Sequence, residues 1–333
     1  MFKLNYPKFW QKIGIIPIIL YPFSKIFHLL GLLRKLFKKE QHLGYPSICV
    51  GNISVGGTGK TFLIKQLGRY FLEKKKKLVV ISKGFKGSYV KPTIIEPSSN
   101  VSLSGDEALE IVRYLYPIGD VEVIVARNPI DAKPYLDLIK PDIILIDDGM
   151  QNPSFTKDYQ IIMVDGMRGF GNGFLIPSGP LREYPKYAIE RADLVVSVNP
   201  ETEIENYFAR SVKYLSLNAI SVLDGILPED PIFLFCSIGN PERFMKTISG
   251  SYNIKGYKFF PDHYQYNISD LEFIELEAKK IGAKFLVSTY KDATKLENLR
   301  SSIPIIYADL VAEDNIIENI AEKINEKINV KNR

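Results

Sequence analysis

The sequence predicts an α/β protein with a doubly wound, mostly parallel sheet and a second, smaller α/β domain. Short runs of consecutive apolar residues alternate with segments of helical periodicity, a pattern typical of parallel strands covered on both faces. The chain of 333 residues is long enough for two domains, and its 46% hydrophobic and 24% charged residues are ordinary for a globular protein. The strand-like runs of the larger sheet begin near residues 48, 78, 121, 143, 160 and 194.

The first of these strands ends in a glycine-rich loop. The stretch ICVGNISVGGTGKTF, residues 48–62, has the order strand, loop, helix, in which backbone N–H groups and a helix N-terminus converge on phosphate oxygens. It departs from the general G-x-x-x-x-G-K-[ST] pattern because Ser54 stands where the first glycine would fall. A glycine turn that merely precedes Lys-Thr is the alternative, but the strand before it and the helix after it favour a phosphate loop.

We therefore predict a P-loop NTPase-like sheet. Lys60 is expected to reach the terminal phosphates of a nucleotide, and the hydroxyl of Thr61 to hold Mg²⁺. The predicted nucleotide-binding residues are Ser54, Val55, Gly56, Gly57, Thr58, Gly59, Lys60 and Thr61.

Two adjacent acids end a later apolar run, IILIDD, at Asp147 and Asp148. A carboxylate fixed at the carboxyl end of a strand can hold Mg²⁺ opposite a phosphate loop. A single acid in this place would more often cap the next helix, whereas a pair downstream of a phosphate loop favours the metal. We assign both to the metal site, together with Thr61.

The N-terminal segment, residues 1–40, is apolar, aromatic and basic. Its longest uncharged apolar run, residues 13–23, has 11 residues and contains two prolines, which is too short to span a bilayer. The segment therefore predicts an amphipathic helix that lies in a membrane interface with its cations on lipid phosphates. A helix packed on the protein's own core, with a solvated basic face, is the alternative.

Composition excludes some classes of site. The 3 histidines and 2 cysteines lack zinc-ligand spacing, so any metal is expected to be Mg²⁺ on oxygen ligands. Cys49 and Cys236 lie in apolar runs and are expected to be buried thiols of a reducing compartment. The formal net charge of +5 suits nucleotide phosphates, an anionic lipid surface or nucleic acid, and does not choose among them.

A second strand and helix alternation follows a looser stretch after residue 199. It contains the strand-like run IFLFCSIGN at 232–240, a helix opened by Ser269 with Glu272 as a capping box, and a final helix with an isoleucine stripe. The predicted division is a membrane-associating segment at 1–40, a nucleotide-binding domain at 41–215 and a smaller α/β domain at 216–333.

Several stretches together resemble the lipid A kinase, or tetraacyldisaccharide 4'-kinase, family of Gram-negative bacteria. They run in family order from about residue 48 to residue 293, and the family also carries a small hydroxyl residue at the position of Ser54. The matching stretches are VGNISVGGTGKT, GDE at 105–107, DDGMQ at 147–151, RGFGNGFLIPSGPLRE at 168–183, IGNPERF at 238–244, FPDHY at 260–264 and KDA at 291–293.

The resemblance implies transfer of the γ-phosphoryl group of ATP, with Mg²⁺, to the 4'-hydroxyl of an acylated glucosamine disaccharide 1-phosphate. It implies a peripheral enzyme at the cytoplasmic face of the inner membrane, with the lipid and an anionic membrane surface as partners and no nucleic acid. Oligomeric state stays open.

The resemblance also assigns a base, Asp106, with His263 as its partner, since a carboxylate oriented by an imidazole suits a hydroxyl acceptor. A turn residue before a tyrosine is the alternative for His263. Arg127 and Arg168 could equally be surface ion-pair partners. Contacts to substrate or transition state are expected from Glu107, Arg127, Gln151, Arg168 and Lys291.

Two positions depart from the family pattern, and two functions other than lipid phosphorylation stay open. Asn152 stands where the family has a histidine, and an amide cannot exchange a proton near neutral pH. Tyr290 stands in place of an acid. The alternatives are a membrane-associated P-loop ATPase switch that phosphorylates no lipid, and a degenerate family member that binds the lipid but turns over slowly.

Overall fold

The computed structural model describes residues 7–36, 39–85, 87–208, 213–262, 264–312 and 314–331. Its chain divides into two compact units. Of the described residues, the larger unit holds 7–218 and 314–331, and the smaller unit holds 219–312.

The larger unit contains an eight-stranded sheet in the order β3-β4-β2-β5-β1-β6-β7-β8. Neighbouring strands are parallel except β3, which runs antiparallel to β4 at one edge. This confirms the predicted doubly wound, mostly parallel sheet. The strands are β1 (Ser47–Asn52), β2 (Leu78–Ser82), β3 (Thr93–Ile95), β4 (Val121–Val125), β5 (Ile143–Asp147), β6 (Tyr159–Asp165), β7 (Leu194–Val198) and β8 (Tyr214–Leu217).

Helices cover this sheet, and the central strands are buried along their whole length, which explains their continuous apolar runs. Cys49 packs with Ile162 and Val195 in one buried cluster, while Val79 and Ile144 belong to another. The helices up to residue 208 are α1 (Ile15–Leu36), α2 (Lys60–Glu73), α3 (Val101–Ser104), α4 (Asp106–Leu115), α5 (Lys133–Ile139), α6 (Pro185–Arg191) and α7 (Thr202–Phe208).

The smaller unit is a five-stranded sheet in the order β11-β10-β12-β13-β9, parallel except for β9. The capping box expected at Ser269 and Glu272 lies two residues earlier, where Asn267 and Asp270 cap the helix reciprocally. The elements are β9 (Ala219–Val222), β10 (Pro231–Cys236), α8 (Pro241–Ser249), β11 (Asn253–Phe259), α9 (Ile268–Lys280), β12 (Phe285–Thr289), α10 (Tyr290–Leu296) and β13 (Ile305–Ala312).

The last helix, α11 (Asp314–Lys331), belongs to the larger unit and packs against α2 and β6. Its isoleucine stripe is buried, and Lys327 pairs with Asp193 of the larger unit. The predicted division at residues 215 and 216, with everything after it in one domain, thus differs from the structure. A stripe identifies an apolar face, but it does not say which sheet that face covers.

Helix α1 is longer than the sequence argument allowed. It continues through Pro22, and by length and composition alone its residues 15–34 could cross a membrane. The expectation that the segment is too short to span a bilayer was based on the uncharged run alone, whereas the helix also includes Lys25 and His28. Most of its large apolar side chains are exposed, and in the described part of α1 the buried residues are Pro17 and Ser24.

Candidate active site

The glycine-rich loop connects β1 to α2, and Lys60 is the first residue of α2. Gly56 and Gly59 have φ angles of +114° and +91°, which side chains rarely adopt. The buried Asn52 side chain holds the loop from inside, because its Nδ2 donates to the Thr58 hydroxyl at 3.1 Å and to the Gly56 carbonyl at 3.4 Å. The loop therefore has the strand, cradle and helix geometry that was expected.

The start of the loop is paired with a distant segment. The Val55 N–H donates to the Pro180 carbonyl at 2.8 Å, and the Arg182 N–H donates to the Ile53 carbonyl at 2.7 Å. Ser54 forms an antiparallel bridge with Leu181 between them. Because Ser54 has strand-like pairing and is not among the positive-φ residues, no glycine is needed there.

Asp147 ends β5, the strand beside β1. Its Oδ2 accepts a 3.3 Å hydrogen bond from Ser82, while its buried Oδ1 has no hydrogen-bond partner among the described residues. Burial raises the pKa of Asp147 most, the charge of Glu107 adds to this rise and Lys60 opposes it, and the resulting pKa is about 7.

Asp148 has the opposite electrostatic environment. Nη1 of Arg182 lies 2.9 Å from each of its carboxylate oxygens, Lys83 lies 3.5 Å from Oδ2 and Lys60 lies 4.0 Å from Oδ1. Burial acts to raise the pKa of Asp148, but these three cations outweigh burial and hold that pKa below its ordinary value. Asp148 is therefore an ionised carboxylate, which suits it to a cation site.

The donor set fits Mg²⁺. A buried carboxylate oxygen without a partner is uncommon and calls for an explanation, and a bound cation supplies one. No group of three or more His, Cys, Asp or Glu side chains suited to a metal occurs among the described residues. One or two carboxylates, here Asp147 and Asp148, are what Mg²⁺ uses when substrate phosphates supply further oxygens. Thr61, the predicted hydroxyl ligand, is half-buried in the first turn of α2.

Asp106 is buried as the first residue of α4, directly after Gly105. Gly105 has a φ of +76°, and a Cβ atom there would lie 2.5 Å from the Phe85 carbonyl oxygen, so the turn before Asp106 packs on the loop that follows β2. The neighbouring Glu107 is half-buried, and its charge acts on Asp147. The structure thus brings the predicted base near the carboxyl ends of β2 and β5, as a doubly wound sheet requires of a site.

The other predicted contacts have different surroundings. Both amide hydrogens of Gln151 are donated within the protein, to the Asn52 carbonyl at 2.8 Å and to Glu183 at 3.0 Å. Arg127 is exposed, with its guanidinium 6.0 Å from the centre of the Tyr89 ring. Arg168 is half-buried on the turn that follows β6.

Two predicted residues belong to the smaller unit. Lys291, on α10, forms a 3.3 Å ion pair with Asp262. His263, the predicted partner of the base, lies outside the described residues.

Asn152, at the position of the family histidine, holds a turn. Its Nδ2 donates to Asn128 Oδ1 at 3.0 Å, and its Oδ1 accepts from the Ser154 N–H at 2.9 Å. Its own N–H donates to the Gly149 carbonyl at 3.1 Å. The side chain therefore fixes the chain just after the acidic pair.

Sequence reasoning missed Arg182 and Lys83, the two cations that join Lys60 at Asp148. Arg182 lies within the motif RGFGNGFLIPSGPLRE, and Lys83 directly follows β2 at the carboxyl edge of the sheet. Position at that edge was the available signal for Lys83. For Arg182, no local pattern indicated that its side chain would contact Asp148, which lies 34 residues away in the sequence.

Comparison with known proteins identifies the family of this chain. A model of the Tetraacyldisaccharide-1-P 4'-kinase family matches residues 16–329. The chain is 40% identical to the Tetraacyldisaccharide 4'-kinase of Rickettsia canadensis (strain McKiel) over 93% of this chain and 94% of that protein. For the enzyme of Rickettsia africae (strain ESF-5), the identity is again 40%, over 93% of this chain and 95% of that protein.

A solved structure shares the fold. It is the crystal structure of the "apo" form of LpxK from Aquifex aeolicus in complex with ATP, which superposes with a TM-score of 0.69 at 22% identity. The match covers 93% of this chain and 100% of that one. From the family model and the relatives at 40% identity, the chain belongs to the tetraacyldisaccharide 4'-kinase family.

Proposed function

We propose that this chain transfers the γ-phosphoryl group of ATP to the 4'-hydroxyl of an acylated glucosamine disaccharide 1-phosphate. One observation carries the proposal. In a chain of this family, the glycine loop with Lys60 lies beside a buried acid with an unsatisfied oxygen, Asp147, and an ionised acid, Asp148. That combination is what phosphoryl transfer requires for holding phosphates and a cation.

The donor side is built from the loop and α2. Backbone N–H groups from Gly56 to Thr61 and the positive end of the α2 dipole bind the phosphates, and Lys60 contributes its charge at their terminal end. Thr61, Asp147 and Asp148 would hold Mg²⁺, which would supply positive charge to offset the negative charge of the phosphates. Arg182 and Lys83 keep Asp148 ionised and oriented for that task.

On the acceptor side, Asp106 is the general base. Its carboxylate accepts the proton of the 4'-hydroxyl as the hydroxyl oxygen bonds to the γ-phosphorus and the bond from that phosphorus to the leaving oxygen of ADP breaks. His263, which lies outside the described residues, is proposed from the family motif as the residue that shares this proton. Glu107, Arg127, Arg168 and Lys291 are proposed contacts to substrate or transition state. Gln151 can offer only its carbonyl oxygen, since its amide hydrogens are donated elsewhere.

Helix α1 is proposed to attach the enzyme peripherally to the cytoplasmic face of the inner membrane. Its exposed Ile15, Ile18, Ile19, Phe23 and Leu30 support burial in an acyl boundary. Its lysines would meet anionic lipid phosphates at the same surface. The enzyme would then meet its acylated acceptor at the membrane surface.

The test is the fate of labelled phosphate. Purified protein is incubated with Mg²⁺, γ-labelled ATP and the disaccharide lipid, and the position of the new phosphate is found by fragmentation in a mass spectrometer. Labelled lipid with the phosphate at the 4' position is expected. Free labelled phosphate alone would support the ATPase switch, and lipid binding without turnover would support a degenerate member.

A further inference from the structure

One segment of the larger unit contacts both the N-terminal helix and the phosphate loop. This segment, residues 171–182, is called the strap. Three backbone–backbone hydrogen bonds close it: Ile176 N–H to the Leu181 carbonyl at 2.8 Å, Gly179 N–H to the Leu175 carbonyl at 3.0 Å and Leu181 N–H to the Phe174 carbonyl at 3.1 Å. Leu175, Leu181 and Ser178 are buried, so the strap is part of the packed interior.

At one end the strap binds the N-terminal segment. Ser24 Oγ donates to the Leu175 carbonyl at 2.7 Å and accepts from the Ser178 N–H at 3.2 Å. The Trp10 indole N–H donates to the Pro177 carbonyl at 2.9 Å. Ser24 is 1% exposed although most of α1 faces outward, so this hydroxyl is a buried polar contact between the helix and the body.

At the other end the strap binds the phosphate loop. Pro180 accepts the Val55 N–H, and Arg182 donates its own N–H to Ile53 while its guanidinium lies on Asp148. Only one residue, Gly179, separates the strap residue that meets α1, Ser178, from the strap residue that meets the loop.

Gly179 leaves the strap little room to absorb a displacement. A Cβ atom at this position would lie 2.2 Å from Asn172 Oδ1 and 2.4 Å from the Phe174 carbonyl oxygen. Asn172 Nδ2 also donates to the Ser178 carbonyl at 3.0 Å. Because packed interiors do not deform continuously, a shift of Ser178 is passed to Pro180.

We propose that the strap couples helix α1 to the phosphate loop, and that Ser24 is a positioning residue that acts through Ser178 and Pro180 on Val55, and through Arg182 on Asp148. The attachment of α1 to the body then contributes to the affinity for MgATP. By reciprocity, MgATP binding changes the surroundings of Trp10. The inference rests on the proposed function only in taking this loop as the nucleotide site.

The protein contains a fluorescent reporter of its own, because Trp10 is its single tryptophan. The full-length protein in detergent micelles is titrated with MgATP while Trp10 emission is followed, and binding is measured in parallel by equilibrium dialysis. A saturable change in emission is expected, with the same midpoint as the dialysis curve. Lys60→Ala, which weakens the phosphate site, should shift both curves together.

Substitutions at the contacts with the strap and on the exposed face of α1 distinguish coupling to the nucleotide from membrane binding. Ser24→Ala is expected to weaken MgATP affinity by about 3- to 10-fold, the effect of losing a hydrogen-bonded anchor, and Ser24→Thr, which keeps the hydroxyl, should recover most of it. Trp10→Phe should weaken affinity in the dialysis assay as well. The matched control is Ile19→Ser on the exposed face, which should reduce binding to anionic vesicles and leave MgATP affinity in micelles unchanged.

A purely structural anchor would lower the thermal midpoint of Ser24→Ala without changing MgATP affinity below that midpoint. That result, or unchanged Trp10 emission in wild-type protein that binds MgATP by dialysis, overturns the coupling and leaves the proposed function intact. Dialysis that finds no MgATP binding to the wild-type protein overturns the proposed function, and the coupling with it.

Discussion

Asp147 is a fully buried carboxyl group with an unsatisfied oxygen beside a second acid and a lysine. In the metal-free protein its folded pKa of about 7 lies above the ordinary value of 3.8. Between these pH values the folded state holds a proton that the unfolded state releases. The contribution of this carboxyl to the free energy of unfolding is therefore present at low pH and is lost as the pH rises through about 7.

Asp147→Asn should consequently stabilise the metal-free protein at pH 8, by a few kcal/mol and at most about 4 kcal/mol. The measurement is urea unfolding of both proteins in EDTA between pH 5 and pH 8. The stability difference should shrink as the pH falls toward 5, because the wild-type carboxyl becomes protonated. A difference that stays constant with pH would show that burial does not perturb this group. The same variant should lose kinase activity, since it removes a ligand proposed for Mg²⁺.

Asp106 is proposed to act as the general base, not as a ligand of Mg²⁺. Asp106→Ala should lower kcat by about 10²- to 10⁴-fold, the usual contribution of a positioned general base. MgATP affinity should change little, because the phosphates are proposed to be held by the loop and Lys60. Steady-state kinetics measures the change in kcat, and equilibrium dialysis measures the affinity for MgATP.

Asp137→Ala is the matched control for Asp106→Ala. Asp137 is an exposed acid of α5 paired with Lys133, and its removal should leave kcat unchanged. If Asp106→Ala weakened MgATP binding as much as it slowed turnover, the assignment of Asp106 as base would be wrong.

At the scale of elements, α10 contains a buried ion pair whose members hydrogen-bond to other parts of the smaller unit. The side chains of Asp292 and Lys295 are fully buried and 3.0 Å apart. Asp292 also accepts hydrogen bonds from Ser237, Thr289 and Tyr266. The pair thus ties α10 to the end of β10 and to the segment that precedes α9.

Asp292→Ala should destabilise the smaller unit by about 3–5 kcal/mol, because it leaves the Lys295 charge buried and unpaired. Hydrogen exchange of the β10 and β12 amides is the suitable measurement, since it reports this unit alone. Glu277→Ala, at an exposed pair with Lys280, should change stability by less than about 0.5 kcal/mol. Equal effects of the two variants would contradict the ion-pair account.

Helix α1 presents its apolar side chains outward, which is costly in water unless a membrane covers them. Replacing Ile19 and Leu30 together with serine should weaken binding to anionic vesicles by about 10-fold or more, as expected from the loss of two buried aliphatic side chains. Leu138→Ser serves as control, because Leu138 is also an exposed aliphatic side chain but lies on α5. Sedimentation with vesicles measures both, and equal binding of the double variant and wild type would contradict membrane association through α1.

At the scale of the whole molecule, local pattern predicted the parallel strands, because burial on both faces imposes continuous apolar runs. The phosphate loop and the acids at the end of β5 followed from the same logic, since strand ends mark the site edge of such a sheet. The contact between Arg182 and Asp148 could not be found this way. It depends on how the strap pairs with residues 53–55, and only the folded chain shows that pairing.

Helices α11 and α1 also show where prediction from local sequence ends. The buried face of α11 was visible in its isoleucines, but its place against α2 depends on tertiary packing. The length of α1 was underestimated because prolines and single charges were counted as interruptions, whereas the helix continues through them. The attachment of the N-terminal segment through Ser24 of α1 and through Trp10, which precedes α1, joins residues more than 150 positions apart.

The central claim is that one site couples cleavage of ATP to phosphorylation of an acylated disaccharide. The most direct measurement counts ADP formed and lipid phosphorylated in the same reaction, with and without the lipid acceptor. The account predicts one phosphorylated lipid per ADP, and ADP formation that depends on the acceptor. ADP produced at the same rate without lipid, and no phosphate on the disaccharide when lipid is present, would contradict it.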